Sequence, residues 1–164
     1  MASTLSSPRI EAKISGQIAK AATQTSSAAA SINDATAVSP SIGATTGLIS
    51  KAYSGTVSVT TSGLTLDLTS LEDSLGEAVV FTLVRAIKIT NRSTASGEDL
   101  SVGGGASNDW IALLPFTLNS SATGDATVLI DFGADGLIVS GTNKNLLLDV
   151  AAGTVAIDVT IVGY

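Results

Sequence analysis

From Gly55 to the C-terminal tyrosine the chain keeps a two-residue hydrophobic beat, and this alternation limits its possible folds more than any other feature. In "GTVSVT", Val57 and Val59 alternate with Thr56, Ser58 and Thr60; in "LTLDLT", Leu64, Leu66 and Leu68 alternate with Thr65, Asp67 and Thr69. A period of two sends one set of side chains inward and the other outward along a strand. The long run "AVVFTLVRAIKITN" places Val79, Phe81, Leu83, Ile87 and Ile89 on one parity, with Arg85 interrupting it. An unpaired charge inside a core is costly, so Arg85 is read as a bulge, a bend or an edge feature.

Later segments repeat the beat. "DWIALLPF" groups Trp110, Ala112 and Leu114, and "TVLIDFG" groups Val128, Ile130 and Phe132. Ala134-Asp135-Gly136 then leads to "LIVS", and Asp-Gly between alternating runs predicts a hairpin. The closing pair, "NLLLDV" and "TVAIDVTIVGY", is joined through Ala151-Ala152-Gly153 and aligns Val155, Ile157, Val159 and Ile161. With no helical period among them, about eight or nine short strands predict an all-β fold, a jelly-roll-like antiparallel β-sandwich over residues 51–164.

Residues 1–50 are different. Ile10, Ile14 and Ile18 recur at four-residue spacing behind Ser7 and Pro8, a cap and first-turn pair, and predict a short helix over about 8–22. The stripe is narrow and Gly16 weakens it, so the segment needs a surface outside itself. Three placements stay open: folded back on its own body, laid on a neighbouring subunit, or disordered. The following stretch, within 17–47, is rich in Ala, Ser and Thr and cannot offset its ordering entropy with its own side chains. It is a linker, or a partner orders it. Together the two pieces read as an N-terminal docking arm whose partner-binding candidates are Ile10, Ile14 and Ile18.

Charge separates the same two parts. Up to Ser50, Arg9, Lys13 and Lys20 face Glu11 and Asp34, a balance of +1; beyond it five basic residues face twelve acidic ones, a balance of −7 that makes up the total of −6. An acidic body without a basic cluster is a poor partner for nucleic acid or for an anionic membrane surface. No apolar run approaches the roughly eighteen residues of a membrane-spanning helix. The opening residues lack the basic-then-apolar pattern of a secretory signal, which predicts a protein made and kept without export.

The chain contains neither Cys nor His, which removes disulfides, thiol nucleophiles, cysteine or histidine zinc ligands and imidazole catalysis. "SVGGGASND", 101–109, invites a phosphate-loop reading but lacks a Gly-Lys-Ser/Thr ending and a following helix, so it reads as a tight loop. Glu72-Asp73, Glu98-Asp99 and Asp131 with Asp135 are the acids from which a glycosidase pair would have to come. All lie at turns or on the outward parity, where a solvated acid is the ordinary outcome. "DFGADG" lacks the alternating acids of a calcium loop. Asn91-Arg92-Ser93 and Asn119-Ser120-Ser121 are glycosylation sequons that carry little weight without export. Trp110 offers a sugar-stacking platform or a packed position, and its parity with Ala112 and Leu114 favours the core or a subunit interface. No cofactor and no enzymatic reaction are expected.

Taken together, "LEDSLGEAVVFTLVRAIKITNRS", "EDLSVGGGASNDWIALL" and "LLLDVAAGTVAIDVTIVGY" resemble the small β-sandwich virion proteins of tailed bacteriophages and prophages, over residues 70–164. The resemblance implies a non-enzymatic structural protein of the virion, made in the host cytoplasm. A capsid decoration or cement subunit, or a fibre-base subunit, is the expected type: a homotrimer docked by its arm on the major capsid protein or another virion protein. A tail, baseplate or collar component is the nearest alternative. A carbohydrate-binding adhesin is another, although six aromatic residues in the whole chain are few for one.

Overall fold

The computed structural model describes residues 10–18, 30–38, 51–73, 76, 78–110, 115–133 and 135–164. These residues are all-β, with every strand pair antiparallel and no helix among them. In chain order the strands are β1 (Ile10–Ile18), β2 (Ala30–Val38), β3 (Lys51–Thr60), β4 (Leu64–Asp67), β5 (Leu71–Glu72), β6 (Ala78–Val79) and β7 (Leu83–Asn91). They continue with β8 (Leu100–Val102), β9 (Phe116–Leu118), β10 (Ala126–Asp131), β11 (Leu137–Ile138), β12 (Asn145–Val150) and β13 (Thr154–Gly163).

Two principal sheets form the body. One has the order β10-β7-β13-β3, with β11 also on β7, and the other the order β4-β12-β8-β9. Eight of these strands pair in a nested way, the first with the last: β3 with β13, β4 with β12, β7 with β10, and β8 with β9. Their inner faces share one aliphatic core. Val59, Ile87, Ile89, Ile157, Val159 and Ile161 from the first sheet meet Leu66, Leu100, Val102, Leu146, Leu148 and Val150 from the second. The inward parity read from the sequence is the more buried parity along β3, β4 and β13.

Arg85 is a bulge, one of the three readings that its place in the run leaves open. Val162 stands opposite Ala86 and Gly163 opposite Val84, so Arg85 is the extra residue on β7. The bulge also moves the inward parity: Val84, not the expected Leu83, is fully buried before it, and Ile87 and Ile89 after it. Gly163 is required at this point because a Cβ there would lie 2.0 Å from the Leu83 carbonyl oxygen.

Two sequence expectations are corrected. Asp135-Gly136 does not turn a hairpin, since β10 and β11 both pair with β7, at 86–91 and 83–84. The Asp-Gly marks a detour within one strand line, pinned by the Phe132 N–H donating to the Arg85 carbonyl at 2.8 Å, opposite the bulge. The helix expected over 8–22 is likewise not formed where the chain is described. Ile10–Ile18 is strand β1, in register with β2 through Ile10↔Val38, Ile14↔Asp34 and Ile18↔Ala30. A spacing of four is even, so it satisfies a two-residue period as well as a helical one. β-Branched Ile and the full-length pairing with β2 tip the balance toward strand. The rest of that expected helix lies outside the described residues.

The second sheet is tied at its edge by an ion pair. Asp67 on β4 accepts from Lys144 Nζ at 2.5 Å, from the Thr69 hydroxyl at 2.6 Å and from the Thr69 N–H at 2.9 Å. Led by the Lys144 bond, these interactions hold its carboxyl down at about 2, from 3.8, against the opposing effect of burial.

Two predictions follow from these contacts. Gly163→Ala forces β13 away from β7 and should destabilise the protein by about 1–3 kcal/mol in urea unfolding; an unchanged midpoint would show that the bulge is slack. Because the Asp67 pKa is depressed, its contribution is present above the unfolded value near 3.8 and is lost as pH falls toward about 2. Asp67→Asn should therefore lower stability at neutral pH and flatten its decline across that acid window, measured as Tm against pH.

Candidate functional site

The outer face of the first sheet carries a patterned surface rich in hydroxyl groups. Strand register fixes its rows. Thr127, Thr90, Asp158 and Thr56 lie side by side across β10, β7, β13 and β3, followed by Leu129, Lys88, Thr160 and Ser54, and then by Asp131, Ala86, Val162 and Ala52. The first two rows are hydroxyl-rich and the third is mainly apolar.

The hydroxyls pair across the strands. The Thr56 hydroxyl donates to Asp158 Oδ1 at 2.6 Å, Thr90 and Thr127 share a hydrogen bond at 2.9 Å, and Ser54 and Thr160 share one at 3.3 Å. Arg92 approaches Asp158 Oδ2 at 3.6 Å with both side chains about half exposed, an ion pair that adds little stability. Around them lies a shallow basin of about 430 Å³, lined by Ser54, Thr56, Lys88, Thr90, Arg92, Asp158 and Thr160. Two cations against one carboxylate make it locally positive on an acidic body. It is suited to holding a polar or anionic group.

The chemistry weighed from sequence resolves into local structure. In the glycine loop the Gly104 and Gly105 N–H groups donate to Asp109 Oδ2 at 2.9 and 3.1 Å, so a side chain of the loop itself takes the donors that a phosphate would need. Asp99 accepts from the Ser120 N–H and hydroxyl, Glu98 from the Ser93 hydroxyl, and Asp131 from the Gly133 N–H at 2.8 Å. Glu98 and Asp131 brace their own turns and Asp99 ties the start of β8 to the segment after β9, and among the described residues no three acids gather to hold a metal ion. Trp110 is 2% exposed and meets Phe132 edge-on with ring centroids 5.5 Å apart, which removes it as a stacking platform. Ala112 and Leu114 lie outside the described residues.

Asn91 is fully buried, donating to the Glu98 and Leu118 carbonyls and accepting from the Ser93 N–H, so the first sequon is closed to modification. Ile10, Ile14 and Ile18 lie on β1, which pairs with β2 outside the two principal sheets.

Lys88, Thr90, Arg92 and Asp158 were not singled out in the sequence. On single strands they read as solvated outward residues, and only the pairing of β7 with β13 brings them together. The available signal was weak: two basic residues four apart on the outward parity of the strand that carries Arg85. No protein-family model matches the chain, and no curated protein or solved structure shows significant similarity to it.

Proposed function

We propose that this chain is a non-enzymatic structural subunit of a virion, a capsid decoration or cement protein whose body is a jelly roll and whose residues 1–50 are a docking arm. The nested pairing of eight strands carries the reading. First-with-last pairing across two sheets suits the jelly roll, a double sheet that recurs in viral capsid and lectin domains. The body's resemblance to phage virion β-sandwich proteins points the same way. So does the arm. Its described structure is one two-stranded sheet, marginal in water without a partner surface.

In this role the β body associates with copies of itself, as a homotrimer, and the arm reaches the major capsid protein or another virion protein. Many copies held at once add avidity to a modest contact. A glycan-binding module is the second reading, favoured by the hydroxyl-lined basin. Against it stands the burial of the lone Trp, since sugar sites lean on exposed aromatic faces.

Deleting residues 1–50 should leave the body folded, read from the emission of buried Trp110, and abolish its recovery on purified particles. A truncated protein that still fills its sites would make the arm a bystander. Light scattering should give the mass of a trimer for the full chain. A monomer that binds on a glycan array would move the assignment to the second reading.

A further inference from the structure

Exposure on the outer face of the first sheet falls sharply toward one end. Along the outward parity of β13, Thr154 and Ala156 are exposed, Asp158 and Thr160 are half-buried, and Val162 is 2% exposed. Beside Val162 on β7, Ala86 is completely buried. Side chains this small, rising from the outside of a sheet, stay bare unless a further layer covers them. Among the described residues the apolar side chains packed on the pair are Ala52 and Leu129, both half-buried themselves and too few to make that layer.

Several observations converge on the same occupant. Strand β1 comes close to β10, the strand that carries Leu129. The chain enters the body at Lys51, next to Ala52, so residues 1–50 are tethered at the edge of this patch. A two-stranded sheet needs an apolar surface to be stable, and this patch supplies one. The arm's balance of +1 also complements the −7 of the body, whose Asp131 stands in the same row as Ala86 and Val162.

We propose that Ala52, Ala86, Leu129 and Val162 form a seat for the chain's own N-terminal strand pair, so that the free subunit carries its arm folded back on the outer sheet face. The seat then competes with any external docking surface, and an identical seat on an adjacent copy is a ready place for exchange. Seating in the free subunit stands without any particle. Only the exchange rests on the docking-arm role proposed above.

The chain has no cysteine, so a single introduced thiol reports the seat cleanly. In the full-length protein Val162→Cys should react with a maleimide at least about tenfold more slowly than Thr154→Cys, an exposed control on the same strand. Adding Ile10→Ser, Ile14→Ser and Ile18→Ser should raise its rate to that of the control while Trp110 emission stays native. Leu129→Cys serves as a second probe if Val162→Cys disturbs the sheet. Fast labelling with the natural arm would overturn the proposal, as would protection that survives the triple serine change. Protection that fades on dilution would assign the cover to a second copy and overturn it equally.

Discussion

Everything in the body hangs on β13. All ten of its residues pair with β3 on one side, and Ile157–Gly163 pair with β7 on the other, so β13 is an interior strand of the larger sheet. Ile157, Val159 and Ile161, its inward residues, are completely buried at the centre of the core. The body therefore cannot close until β13 is in place, and the pairing of β3 with β13 makes its contacts predominantly non-local. Such topologies fold slowly and expose strand edges while they do so. Sparse charge makes that exposure more hazardous. The Arg85 bulge opposite Gly163 interrupts β7 at one end, and the break between β10 and β11 falls beside it, where regular pairing would otherwise run on.

The interior tolerates few polar groups, and those it holds connect elements. Asn91 ends β7 and reaches the carbonyls of Glu98 and Leu118, just before β8 and at the end of β9, which joins the two sheets through one fully satisfied side chain. A buried amide with its donors and acceptor paired costs little and fixes position, whereas an unpaired one would be expensive. The Asp67–Lys144 pair does a related job nearer to solvent, where the carboxylate keeps its charge and the lysine holds the edge strand to the connection before β12. Polar chemistry in this protein goes into holding strands in register.

The strands and most of the core were legible because period-two alternation depends only on local sequence. Val155 to Ile161 could be assigned inward without knowing what they faced. Features that depend on pairing were harder. Asp135-Gly136 has the composition of a hairpin turn, but which strand β10 and β11 lie against is decided by β7. The isoleucines at 10, 14 and 18 carry a spacing that serves helix and strand alike, and nothing local forces the choice until a second strand lies alongside. The basin was illegible for the same reason, since its residues come from three strands that are distant in sequence. Val162 and Ala86 were the hardest to read. An outward Val or Ala looks like ordinary surface, and only its burial reveals another layer.

That layer bears on how a weakly charged protein avoids indiscriminate association while remaining able to assemble. An uncovered apolar strip beside a long strand edge would invite indiscriminate pairing. A tethered segment on the strip removes the hazard at a high effective concentration, because the chain joins seat and occupant directly through Lys51. Displacing it requires a surface that offers the arm more than its own body does. For a subunit of the proposed kind, the intramolecular contact thus sets the threshold for docking: too weak and copies aggregate before they reach the shell, too strong and the arm never leaves. Small residues are suited to such a seat. Two alanines, a valine and a leucine bury little apolar area and can hold a strand pair without holding it permanently.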